Sequence, residues 1–163
     1  MLPQNDSLLK IVFFFLLKFA DISCSKEESV SFSFYGAPSL DSPINRIIDD
    51  FLRMRFPERI AFYGHISGSD NNDVFHRADI FCLPTFYQIE ALPISIIEAM
   101  QFCLPVISTI RGAIPEAIID RKGGLLIAKE SIDELVIALT LLMSPSGMVE
   151  IPRLAGEGKD SVM

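Results

Sequence analysis

The sequence predicts an α/β fold built on a doubly wound parallel sheet. Short apolar segments of strand length, several closed by a glycine, alternate along the chain with segments whose apolar residues recur at helical spacing. Strands separated by helices return to one sheet through right-handed crossovers and bind ligands outside their carboxyl ends. Half of the residues are hydrophobic and the mean hydropathy is +0.38, as strands covered on both faces require. The same apolar excess suits a face made to dock on a partner domain. At 163 residues the chain can bury one real core and is too short for two comfortable ones.

In order, residues 1–29 form an amino-terminal segment with an apolar stretch over 8–20, which periodicity assigns to neither helix nor strand. Residues 30–143 form the domain. Its first strand is VSFSFYG, alternating and closed by Gly36. Ser42 and Pro43 then read as cap and first residue of a helix with Ile44, Ile47, Ile48, Phe51 and Leu52 at helical spacing. RIAFYG is the second strand, followed by a short helix around residues 72–77, and ADIFCLP is the third strand. A helix opens at Pro93, PVIST gives a fourth strand, PEAIID a short helical piece and GGLLIA a fifth strand. Ser131 and Glu134 make a capping box for a last helix carrying Ile132, Leu135, Val136, Leu139 and Leu142 on one face. Residues 144–163 mix Pro, Gly and charge without periodicity and read as a flexible tail.

The net charge of −7 and pI near 4.8 exclude a nucleic-acid surface and a polybasic membrane patch, which need clustered Lys and Arg. Cys24, Cys82 and Cys103 are odd in number and form no C-x-x-C pair, so buried free thiols in a reducing cytoplasm are expected. His65 and His76 have no ligand-like spacing to Cys or Asp, so no metal is expected. The run IVFFFLL between Lys10 and Lys18 is far below the roughly 20 residues that span a bilayer. It also lacks the cleavage site of a signal peptide, so it reads as a core segment.

Residues 84–115 organise the chain. They hold two carboxylates, Glu90 and Glu98, with Pro93 at the expected first helical position between them. Glu90 then belongs to a loop and Glu98 to the helix, roughly 7.5 Å along its axis at about 1.5 Å per residue. Helical side chains lean toward the amino terminus, so both carboxylates can face one ligand lying over the helix start. Backbone N–H groups and the positive dipole end there suit a phosphate. As bland readings, acids near a helix start need no ligand, Glu116 serves as a first-turn acid, Ser95 fills a helix, His65 is a loop residue, and Arg111 precedes a glycine turn.

The ordered pieces ADIFCLPT, EALPISIIEAM, LPVIST, RGAIPEAIID and GGLLI resemble the signature of retaining glycosyltransferases of family four, which have the GT-B fold. The resemblance covers about residues 30–142 and is nearest to bacterial polysaccharide-synthesis members. It implies a Rossmann-like domain, the carboxyl-terminal, donor-binding half of a GT-B glycosyltransferase, apart from an acceptor-binding half. The implied activity is retaining hexosyl transfer from a nucleotide-diphosphate sugar (a UDP-, GDP- or related sugar), without a metal, in polysaccharide or glycolipid synthesis. By position, Glu90 would hold hydroxyls of the donor sugar, the backbone of Ala91, Leu92, Pro93 and Ile94 would face sugar and diphosphate, and Glu98 would accept from the ribose hydroxyls. Gly64, His65 and Ile66 would form the loop beside the base. No residue is assigned as catalytic.

The sequence departs from that family at Ala91 and Ala113, where glycines are usual, and no Gly-Arg … Lys-Gly pattern for the diphosphate precedes residue 30. The resemblance thus implies a truncated enzyme whose amino-terminal acceptor-binding domain would come from another chain, with peripheral membrane association of the whole. The other reading is a catalytically inactive remnant acting as a nucleotide-binding or interaction module.

Overall fold

The computed structural model describes residues 30–35, 50, 54–55, 58–64, 69–85, 91–118, 123–128 and 131–144. They fall into two compact units, Met1–Asn71 and Asn72–Met163. The amino-terminal segment, almost all of the tail and most of the helix expected after Ser42 lie outside the described residues, although Asp50, Met54 and Arg55 are helical.

In the first unit, β1 (Phe32–Tyr35) pairs in parallel with β2 (Ile60–Gly64). Half-buried Phe32 and Phe34 alternate with exposed Ser33 and Tyr35, the period of two that the sequence shows. Arg59 fastens the start of the pair: its carbonyl accepts from the Phe32 N–H at 2.7 Å, and its Nε donates to the Val30 carbonyl at 2.8 Å. The register slips after Phe34, so Tyr35 pairs with Gly64 and Tyr63 is the extra residue of a bulge. The Tyr35 and Tyr63 rings stack with centroids 4.9 Å apart.

Helix α1 (Ser69–Arg77) begins three residues before the expected start. In the second unit, β3 (Phe81–Leu83), β4 (Val106–Thr109) and β5 (Gly124–Ile127) form a parallel sheet in the order β3-β4-β5. The connections are helical, α2 (Ile94–Gln101) between β3 and β4 and α3 (Ile114–Ala117) between β4 and β5, and α4 (Ile132–Met143) follows β5. Every residue of β4 is buried, so the strand is covered on both faces, which is why its start, PVI, reads as a continuous apolar run and not as an alternation.

On one face Val106 joins Ile96 and Ala99 of α2, together with Phe75, Leu104, Ile114 and Ile118. Phe75 meets Phe102 at 5.5 Å and Phe81 at 5.8 Å between ring centroids. Alternation turns Ile107 to the other face. Helix α4 packs on β4 and β5, burying Leu135, Ala138, Leu139 and Leu142, as its stripe requires.

Helix ends refine the sequence reading. Pro93 is the N-cap of α2 and not its first helical residue: its ψ of 128° is extended, and its carbonyl accepts the first bond, from Ile96 N–H at 3.1 Å. The capping box of α4 is half reciprocal. Ser131 Oγ accepts from Glu134 N–H at 3.3 Å, whereas the Glu134 carboxylate accepts from Ala128 N–H at 2.6 Å, binding the cap to the end of β5. Helix α2 closes with a Schellman motif, in which Cys103 N–H donates to Met100 and Leu104 N–H to Ala99, at 3.0 and 3.1 Å. Cys103 takes φ 57° there, a conformation usually given to glycine.

Candidate functional site

Because β3, β4 and β5 are parallel, their carboxyl ends share one edge of the sheet. Three segments leave that edge: the chain from Pro84 toward α2, the turn after Thr109, and Ala128 with the start of α4. Glu134 holds the third closed. The first two meet, since Ala113 N–H donates to the Ala91 carbonyl at 2.9 Å. Gly112, at φ 50°, supplies the left-handed step that turns the chain there, and Ile114 N–H returns to the Arg111 carbonyl at 3.0 Å.

This contact places the entry to α2 against the turn after β4. Ala91 is exposed, Leu92 and Pro93 are half-buried, and Ile94 is 71% exposed. No side chain caps the helix, and no acidic residue stands in its first turn. The N–H groups of Ile94 and Ser95 precede any intrahelical partner and carry the positive end of the dipole. Ile96 and Ala99 set the core face of α2, and Glu98 lies away from them, half-buried, one turn after exposed Ile94. A carboxylate there can accept two hydrogen bonds from a vicinal diol while an anion occupies the helix start. Ser95 is half-buried on the same helix, and Arg111 is half-buried in the adjoining turn. Glu116 is exposed in the first turn of α3.

Of the residues expected at the site, Ala91, Leu92, Pro93, Ile94 and Glu98 lie together in the second unit. Gly64 ends β2 in the first unit. Glu90, His65 and Ile66 lie outside the described residues. Among the described residues, no three His, Cys, Asp or Glu side chains gather as metal ligands, and no helix is long and apolar enough to cross a membrane. Cys82 and Cys103 are free, but each is half-buried where full burial was expected, and Cys24 lies outside the described residues. The Cys82 residue keeps some accessible surface on its short strand, yet burial of its thiol pushes the pKa up to about 12.

Sequence reasoning missed the hydroxyls at the end of β4. Ser108 and Thr109 are fully buried, and their Oγ atoms donate to the carbonyls of Leu83 at 2.7 Å and Thr85 at 2.5 Å. Two hydroxyl residues closing the apolar run PVI were the available signal.

The sequence model of the family described as Glycosyl transferases group 1 matches residues 14–153. The chain belongs to this family. An uncharacterized glycosyltransferase of Haemophilus influenzae is 34% identical over 77 residues, which are 45% of this chain and 21% of that protein. Among solved structures, the carboxyl-terminal domain of a group 1 family protein (LpcC) from Francisella tularensis is similar with a TM-score of 0.69 at 24% identity, over 86% of this chain and 72% of that one. A sucrose-phosphate synthase from Thermosynechococcus elongatus gives 0.63 at 20% identity, over 79% of this chain and 33% of that one. Anabaena HepE in complex with UDP and glucose gives 0.65 at 14%, over 83% and 38%. This group 1 glycosyltransferase chain has the α/β fold of GT-B carboxyl-terminal domains and spans about a third or less of the first relatives it matches.

Proposed function

We propose that this chain is the donor-binding domain of a retaining glycosyltransferase that takes a nucleotide-diphosphate sugar for hexosyl transfer in polysaccharide or glycolipid synthesis. The observation that carries the reading is the start of α2, with a helix start capped by no side chain, exposed Ala91 and Ile94, and half-buried Glu98 one turn inside. Glu98 accepts from the ribose diol, the backbone of residues 91–94 faces the diphosphate and sugar, and Glu90 holds sugar hydroxyls. Gly64, His65 and Ile66 serve the base. The complex of HepE with UDP-glucose supports a nucleotide sugar as the ligand of the shared fold.

These are recognition tasks, and no residue here is assigned a bond-breaking role. Transfer also needs the acceptor oxygen held against the anomeric carbon, and such positioning supplies much of the rate enhancement. An amino-terminal acceptor-binding domain would complete that cleft, with the whole enzyme working in the cytoplasm and touching the membrane peripherally. Helix-start amides stabilise the diphosphate electrostatically, so binding is expected to need no metal.

Titration calorimetry with UDP, GDP and ADP, each with and without EDTA, tests the reading. One nucleotide should bind regardless of EDTA, and Glu98→Ala should weaken it about ten-fold or more, the loss of a charged hydrogen bond of about 1.5–3 kcal/mol. Equal binding by the variant would remove Glu98 from the site.

A further inference from the structure

An apolar side chain exposed by itself needs no explanation, but β1 and β2 expose two aromatic rings side by side. Tyr35 is 38% and Tyr63 56% exposed, and their rings lie with centroids 4.9 Å apart and planes 9° from each other. Tyr35 is the last residue of β1, and Tyr63 precedes Gly64, the last of β2. Because the two strands are parallel, the pair sits at their shared carboxyl ends, outside which folds of this class bind ligands.

The ladder runs residue for residue as far as Phe34 and Phe62, and the shift that follows leaves Tyr63 outside the pairing. Bulges of this kind re-aim a side chain, and they are frequent beside ligand sites. The partner that the shifted register gives Tyr35 is Gly64, so no side chain stands across from it in the ladder. The rings stack across the two strands, so one face of Tyr63 is taken by Tyr35 and its exposed surface belongs to the other face and the edge. Among the described residues β2 pairs with β1 alone, and no strand stands beyond that outer face. A stack this flat is extended by a planar ring. Of the three parts of a nucleotide sugar, only the base is planar. We propose that Tyr35 and Tyr63 form a stacking platform for the nucleobase, which lies on the outer face of Tyr63 and continues the stack. The inference rests on the donor-domain reading above, in which Gly64 serves the base, and adds that the base is held through its face. Every base presents such a face, so the platform supplies affinity without choosing among bases.

The test takes UDP, GDP and ADP as probes of the 163-residue chain, read by calorimetry and by the proton spectrum of the nucleotide. In the wild type, the base protons of the nucleotide that binds should move upfield, as protons over an aromatic ring do. Tyr63→Ala should weaken that nucleotide by about five-fold or more, the worth of one base–aromatic stack, and abolish the upfield shift. Tyr63→Phe keeps the ring and should match the wild type in both readouts. If Tyr63→Ala does not fold, the base protons of the wild-type complex decide. Four results would each overturn the platform and leave the donor-domain reading standing: base protons unshifted in the wild-type complex, a shift that survives Tyr63→Ala, a loss of affinity that Tyr63→Phe shares, or equal nucleotide binding by Tyr63→Ala, even with UDP-glucose weakened. A wild type that binds none of the three nucleotides overturns both.

Discussion

Replacing Gly124 with alanine puts a methyl group where the fold has no room. The added Cβ would fall on the Val106 carbonyl oxygen, inside van der Waals contact, 2.9 Å from Ile118 Cγ2 and 3.2 Å from the Val106 carbonyl carbon. The oxygen cannot swing aside, because Val106 pairs with Gly124 in the ladder and its N–H is bonded to the Gly123 carbonyl at 3.1 Å. Relief requires β4 and β5 to part. Overpacking costs about 1–3 kcal/mol, and a ladder bond lost with it about 1 kcal/mol. Alanine returns about 0.4–1 kcal/mol by restricting the unfolded chain. The net is a loss of about 1–3.5 kcal/mol, a fall in Tm of about 2–14 °C at roughly 2–4 °C per kcal/mol for this size. Differential scanning calorimetry reads the shift directly. Adding Ile118→Ala should not restore the Tm, since the backbone oxygen stays. A Gly124→Ala chain melting within about 1 °C of wild type would refute the steric reasoning.

Cys103→Gly should raise stability by a few tenths to about 1 kcal/mol, because the left-handed conformation costs a β-carbon about 1–2 kcal/mol and glycine returns part of that in unfolded-state entropy; denaturant midpoints check it. Cys82 should resist iodoacetamide at pH 8 in the folded chain and react once the chain is unfolded, as peptide mass mapping would show. Its folded pKa of about 12 lies above the thiol's ordinary value of 9.0, so the folded state keeps its proton longer than the unfolded one. The stability linked to it is therefore complete below pH 9 and declines as pH rises from 9 toward 12, and Cys82→Ala should flatten that decline.

Where the sequence was legible, the reason is local. Buried strands announce themselves by continuous apolar runs such as PVI and LLIA, and α4 by Ser131 at its start and leucines at helical spacing. The place of Glu98 on a helix was legible because its neighbours fix the helix and its register. What escaped is settled by distance in the fold. Nothing local says that Thr109 donates to a carbonyl 24 residues away, or that Ala113 meets Ala91. Glu134 looked like the partner of its own cap, and tertiary placement of Ala128 redirected its carboxylate. The left-handed Cys103 was hidden because an apolar residue stands where glycine would have marked a helix end. Pro93 was read one position too far into α2, since proline favours both the cap and the first turn in φ and only ψ separates them.

The central claim is that the start of α2 receives a nucleoside diphosphate. Backbone amide spectra of the chain recorded during titration with UDP, and in parallel with GDP, test it most directly. The account predicts saturable shifts, for one of the two, concentrated at the N–H groups of Ala91, Leu92, Ile94, Ser95 and Glu98. Binding that leaves those amides unmoved, or no binding of either nucleotide, would contradict it.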